Sequence, residues 1–80
     1  MPRYFFDIQD HERFSEDDTG IECGRLDAVR DTAVEALPDI AKSVSPACDH
    51  HTITDTARCE TGEKVFRATM KMDADWLGKV

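Results

Sequence analysis

The 80-residue sequence has no apolar run near the roughly 18 to 20 residues that cross a bilayer. It also lacks a signal-peptide pattern, because Arg3 leads into a short aromatic stretch that Asp7 already interrupts. The expected compartment is the cytoplasm, with no membrane partner. The cysteines Cys23, Cys48 and Cys59 are odd in number and widely spaced. Disulfide scaffolds carry even counts, so free thiols are expected. The four glycines are isolated and none opens a helix after a strand, which removes a phosphate-cradling loop. Repeats, low-complexity tracts and linkers are absent too. A single domain over residues 1–80 follows, with 73–80 as a C-terminal tail. A chain this short buries only about 60% of its unfolded surface, so pairing or stapling matters to it.

Positive charge is scarce in the first half. Residues 1–40 hold eleven acids against Arg3, Arg13, Arg25 and Arg30, whereas residues 41–80 hold six of each sign. The net charge of −7 therefore sits in the first half, densest between Asp10 and Glu22. Nucleic-acid binders need a cationic footprint. The chain as a whole repels nucleic acid, leaving only a local strip of Arg58, Arg67 and Lys71 for weak contact.

What is present reads as two ribbons and a helix. Tyr4, Phe6 and Ile8 alternate with Phe5, Asp7 and Gln9, the period of a strand. Asp10, His11 and Glu12 form a polar turn, after which Arg13-Phe14-Ser15 pairs back as a short strand. The acidic run to Gly20 breaks regularity, and Ile21 is expected to tuck beneath the helix. Leu26, Val29, Ala33, Leu37, Ile40 and Val44 recur at helical spacing. Pro38 within that stripe predicts a kink or a restart, and Ser45-Pro46 ends it. Thr52 to Cys59 and Val65 to Met72 alternate around Gly62, which predicts a hairpin. Phe66, Ala68, Met70 and Met72 form its core face; Thr52, Thr54, Arg58, Arg67, Thr69 and Lys71 form the other. Trp76 and Leu77 are expected to fold back on the body. The result is an α+β fold of β-β-α-β-β order: an antiparallel sheet of three to four strands with one helix on one face.

The opposite face is then open to solvent, and Phe5 projects onto it beside Val65. Aromatic and arginine side chains are favoured in interfaces. The expected interface is Phe5, Val65, Arg58, Arg67, Thr69 and Lys71, in a homodimer or with an unknown protein partner. A competing expectation is a metal site in the loop Cys48, His50 and His51, whose side chains are zinc-ligand types. It has no Cys-x-x-Cys pair and would need Cys23, Cys59 or His11 to complete it. Glu16, Asp17, Asp18 and Glu22 do not follow a calcium-loop spacing. Cysteine with histidine is the one pairing suited to nucleophilic catalysis, and nothing supplies it with a pocket.

The opening Met-Pro-Arg-Tyr-Phe-Phe-Asp, then Asp18-Thr19-Gly20-Ile21-Glu22, then Leu26-Asp27-Ala28 resemble a family of small uncharacterised bacterial domains beginning with nearly the same segment. The resemblance covers most of the chain and implies a domain of unknown function, with no activity, cofactor or site to carry over. Pro38 and the run from Cys48 to His51 depart from that family's pattern. The reading is a small, non-enzymatic interaction module that self-associates through the exposed sheet face, without cofactor. Metal binding through Cys48, His50 and His51 is the alternative, and weak nucleic-acid contact the second alternative.

Overall fold

The computed structural model of the chain describes residues 2–10, 13–43 and 49–78. Expectations placed on His11, Val44, Ser45, Pro46 and Cys48 lie outside these residues. Five strands and one helix follow in the order β1 (Arg3–Asp10), β2 (Arg13–Ser15), β3 (Ile21–Glu22), α1 (Leu26–Lys42), β4 (His50–Arg58) and β5 (Lys64–Asp73). The α+β class and the antiparallel pairing are as expected. A fifth strand, β3, is added to the order.

The sheet runs β2-β1-β4-β5, and β3 joins β1 on the same side as β2. Both short strands pair with β1, β2 opposite Ile8 to Asp10 and β3 opposite Arg3 and Tyr4. Ile21 is therefore not beneath the helix. It lies opposite Tyr4 and is exposed, because two residues of backbone pairing hold it at the sheet margin.

Alternation decides the layers. Phe6 lies opposite Ala57, which lies opposite Phe66, so three strands send these side chains to one face. Val29 and Ala33 of α1 pack there with Phe6, Cys23 and Ala57, flanked by Tyr4, Ala28, Phe66 and Ala68. Leu37 continues the buried stripe of the helix. Leu26 was expected in that stripe but is exposed, at the first residue of the helix.

The helix passes through Pro38 without a break. Proline removes the N–H that would bond the carbonyl of Val34, and both residues are exposed, so water can take the freed carbonyl. Asp27 in the first turn and Lys42 in the last complement the helix dipole. At the C-terminus both the N–H and the hydroxyl of Ser43 donate to the carbonyl of Ile40.

The β4–β5 hairpin closes through Glu60-Thr61-Gly62. Gly62 N–H bonds the Cys59 carbonyl and Cys59 N–H the Glu63 carbonyl. Gly62 has φ of 91°, which completes a three-residue turn with glycine in the left-handed region. The register shifts between Ala57 and Arg58, making Val65 an extra residue in β5. Strict alternation, from which Val65 was assigned to the open face, therefore stops at this bulge. The tail does not fold back either: Trp76 and Leu77 are 79% and 98% exposed. Ala74 N–H still bonds the Asp49 carbonyl, so pairing extends one step past β5 before the chain leaves the body.

Candidate functional site

The face of the sheet away from α1 carries Phe5, Asp7 and Gln9 of β1, Thr52, Thr54, Thr56 and Arg58 of β4, and Arg67, Thr69 and Lys71 of β5. The register sets them in rows: Phe5 opposite Arg58, Asp7 opposite Thr56 opposite Arg67, Gln9 opposite Thr54 opposite Thr69. The Asp7 row runs from an acid at β1 to a base at β5, and Lys71, opposite Thr52, adds a second cation at the β5 margin.

The acidic margin is closely tied. Between the segments of β1 paired by β2 and β3, residues 16–20 pass alongside Phe6. There Asp17 does the work of a strand: its Oδ2 accepts the Phe6 N–H at 3.0 Å, and its Oδ1 accepts Thr19 N–H and Gly20 N–H at 3.0 and 3.1 Å. Asp17 N–H in turn bonds Asp7 Oδ1 at 2.9 Å. Partial burial raises the Asp17 pKa, but the three backbone donors and Arg58 outweigh it and hold the carboxyl below its usual value.

Arg58 clamps this loop to the sheet. Its Nε donates to Asp7 Oδ2 at 2.8 Å, and its Nη2 donates to the Asp17 carbonyl at 2.8 Å and to Glu16 Oε1 at 3.4 Å. The Asp7 bond, with Glu16 and Asp17 near, raises its pKa further. Its guanidinium also lies over the Phe5 ring, 4.7 Å from the centroid. Gly20 meets Phe5 from the side: a Cβ there would stand 3.0 Å from the ring and 2.8 Å from Arg3 Cγ. Arg3 donates to the carbonyls of Thr19 and Gly20 and to Glu22. Phe5 does point away from the helix, but it is half-buried within its own chain.

The basic margin is bare. Arg67, Thr69 and Lys71 are exposed, and Lys71 lies 3.7 Å from Asp73, also at the surface. The expected six residues thus fall into two groups. Phe5 and Arg58 are engaged by the acidic loop, whereas Arg67, Thr69 and Lys71, with Val65 at the bulge, face solvent. The involvement of Asp7, Glu16 and Asp17 was missed, and a lone arginine on a threonine-rich strand near a dense acidic run was the signal for it.

The histidines diverge. His50 and His51 are adjacent on β4 and point to opposite faces. His50 Nδ1 donates to Asp73 at 2.9 Å and its Nε2 lies 3.5 Å from Asp75. This bond lowers the Asp73 pKa. His51 is buried and its Nε2 bonds Asp10. Among the described residues no group of three or more His, Cys, Asp or Glu could hold a metal ion. Of the acidic run, Asp17 accepts backbone N–H groups, Glu16 and Glu22 face arginines, and Asp18 accepts the Thr19 hydroxyl. Cys23 and Cys59 are free thiols. The Cys59 thiol, 2.9 Å from Thr61 Oγ1, is lowered in pKa by that bond. It directly follows β4, at the end away from the histidines, about 25 Å along an extended strand.

Asp55 stands out in the core. It is completely buried on the helix side of β4, opposite Ile8 and Ala68. Among the described residues neither carboxylate oxygen has a hydrogen-bond partner. Burial first, then Asp7 and Asp17, push its pKa up to about 6.

No described helix is long and apolar enough to cross a membrane. The family model described as Domain of unknown function (DUF6894) matches residues 3–71. No curated protein and no solved structure matches the chain.

Proposed function

The chain belongs to that family of domains of unknown function, and on this premise we propose that it is a non-catalytic interaction module that pairs with a second copy of itself through the open sheet face. The observation that carries this reading is the charge order of the face. Glu16 and Asp18 are exposed at one margin, and Arg67 and Lys71 are exposed at the other.

A two-fold axis running along the strands, between two such faces, exchanges the margins. Arg67 and Lys71 of each copy then meet the acidic loop of the other, so one patch complements itself as a closed dimer requires. The threonine rows between them supply a flat centre. Phe5 is not the anchor in this arrangement, since Arg58 and Gly20 already cover it.

Surface area supports pairing. A folded monomer of 9.0 kDa exposes about 4,900 Å² by area–mass scaling. This chain exposes 5997 Å². Part of the excess belongs to the projecting tail with Trp76 and Leu77, and the rest leaves a small domain with more surface than its mass requires, a condition that association relieves.

Sedimentation equilibrium tests the proposal. The wild type is expected to dimerise at high micromolar concentration and to weaken as salt screens the margins. Arg67→Glu with Lys71→Glu should give a monomer. Mixing that variant with Glu16→Lys/Asp18→Lys should restore a heterodimer. A wild type that stays monomeric throughout, or a dimer indifferent to these reversals, overturns it.

A further inference from the structure

The two edges of the sheet are built differently. The outer edge of β1 is closed along its length by β2, β3 and the Asp17 carboxylate. The outer edge of β5 ends the sheet order, and among the described residues no strand pairs with it. Edge strands left open are usually short, because unpaired backbone groups recruit other chains. This one has ten residues, of which 66–73 follow the bulge in regular register.

The backbone direction along this edge can be read from bonds already described. Phe6 N–H points away from β4, towards Asp17. Its opposite number Ala57 must then direct its backbone groups towards Phe66. Phe66, Ala68, Met70 and Met72 are thereby bonded inward, in phase with the inward N–H of Ala74. Arg67, Thr69, Lys71 and Asp73 present their N–H and C=O groups outward.

We infer that the outer edge of β5 is a strand-addition site for an extended, acidic segment of a partner protein. The backbone of residues 67–73 supplies the hydrogen bonds. Partner side chains on the helix side meet Phe66, Ala68 and Met70, which are half-buried, and the exposed Met72. Those on the open side meet Arg67 and Lys71, where carboxylates are favoured as cross-strand neighbours. The matching sequence alternates apolar and acidic residues. A second copy of β5 is disfavoured, because its own Arg67 and Lys71 would crowd the same side of the joined sheet. Cations on an edge thus discourage indiscriminate pairing while admitting an acidic strand.

This inference stands apart from face-to-face pairing, although both draw on Arg67 and Lys71. The test therefore separates backbone from charge. The probe is an eight-residue capped peptide alternating valine and glutamate, with a valine–lysine peptide as its counterpart. Titration calorimetry should show binding of the glutamate peptide, and hydrogen exchange should show new protection at the amides of Thr69 and Lys71. Thr69→Pro removes an outward N–H, sparing the β4–β5 ladder and every charge, as proline at an edge can. It should lower peptide affinity at least about tenfold, as should N-methylation of the glutamate peptide along its bonding edge, which leaves the protein's open face untouched. Arg67→Glu with Lys71→Glu, at exposed positions that do not test folding, should reverse the preference to the lysine peptide. Absence of binding, equal binding of both peptides, or no reversal overturns the inference. So does exchange protection at the edge that appears without peptide and rises with protein concentration, which would assign the edge to a second copy.

Discussion

The two margins of this sheet contrast in how backbone and charge are satisfied. At the β1 margin, acids and arginines from distant parts of the chain neutralise one another, and a carboxylate accepts a backbone N–H that no strand reaches. At the β5 margin the cations are exposed, and among the described residues no strand pairs with the outward backbone groups of this long strand. An 80-residue chain has little core to spare, and here its polar interactions consolidate one edge and leave the other open. The lesson is that charge counts mislead. The acidic first half is substantially spent on internal bonds, and the neutral second half supplies the exposed cations.

The largest expected effect comes from breaking the closed margin. Asp17→Ala strips the acceptor from three backbone N–H groups and should destabilise the domain by about 4 kcal/mol in urea denaturation. Domains of this size have on the order of 4–12 kcal/mol in total, so partial unfolding at room temperature is expected. The depressed Asp17 pKa has a matching signature. Its stabilisation is complete above the unfolded value of 3.8 and fades as pH falls below it.

Next is Asp55, between the margins, whose sign is opposite. A carboxyl raised from 3.8 to about 6 binds its proton more tightly in the folded state. Its contribution is therefore undiminished below pH 3.8 and is lost as pH rises through 6. Asp55→Asn should stabilise the protein at pH 7 by on the order of 2–3 kcal/mol and not at pH 3.5. Thermal melts across that range check it; equal effects at both pH values would contradict the buried, unpartnered carboxyl.

A smaller loss is expected at Gly20, whose φ of 77° and close approach to Arg3 and Phe5 leave no room for a Cβ. Gly20→Ala should cost about 2 kcal/mol, from the left-handed backbone and the displaced arginine stem. At the open margin Arg67→Ala should change unfolding free energy by less than about 0.5 kcal/mol. If Arg67 proved as costly as Asp17, the contrast between the margins would fail.

Much of the architecture was legible from local pattern. The alternation Tyr4-Phe6-Ile8 against Phe5-Asp7, the threonine face of β4, and Val29, Ala33 and Leu37 at helical spacing all mark faces that the fold uses. The two-residue β3 was not legible, because pairing that short has no periodic signal. Trp76 and Leu77 were misjudged because hydrophobicity states a preference but not whether a surface lies within reach. The intrachain surroundings of Phe5 were not legible for a related reason. Nothing local shows that Gly20 and Arg58 close over that ring.

By itself the sequence determined which side chains share a face, since a strand repeats every two residues and a helix every 3.6 whatever else the chain does. Tertiary structure alone decided which of those side chains are engaged. Arg58 meets Asp7, Glu16 and Asp17 at sequence separations of 41 to 51. That meeting depends on β1 and β4 lying side by side, and so do the covered aromatic, the closed margin and the open edge opposite it.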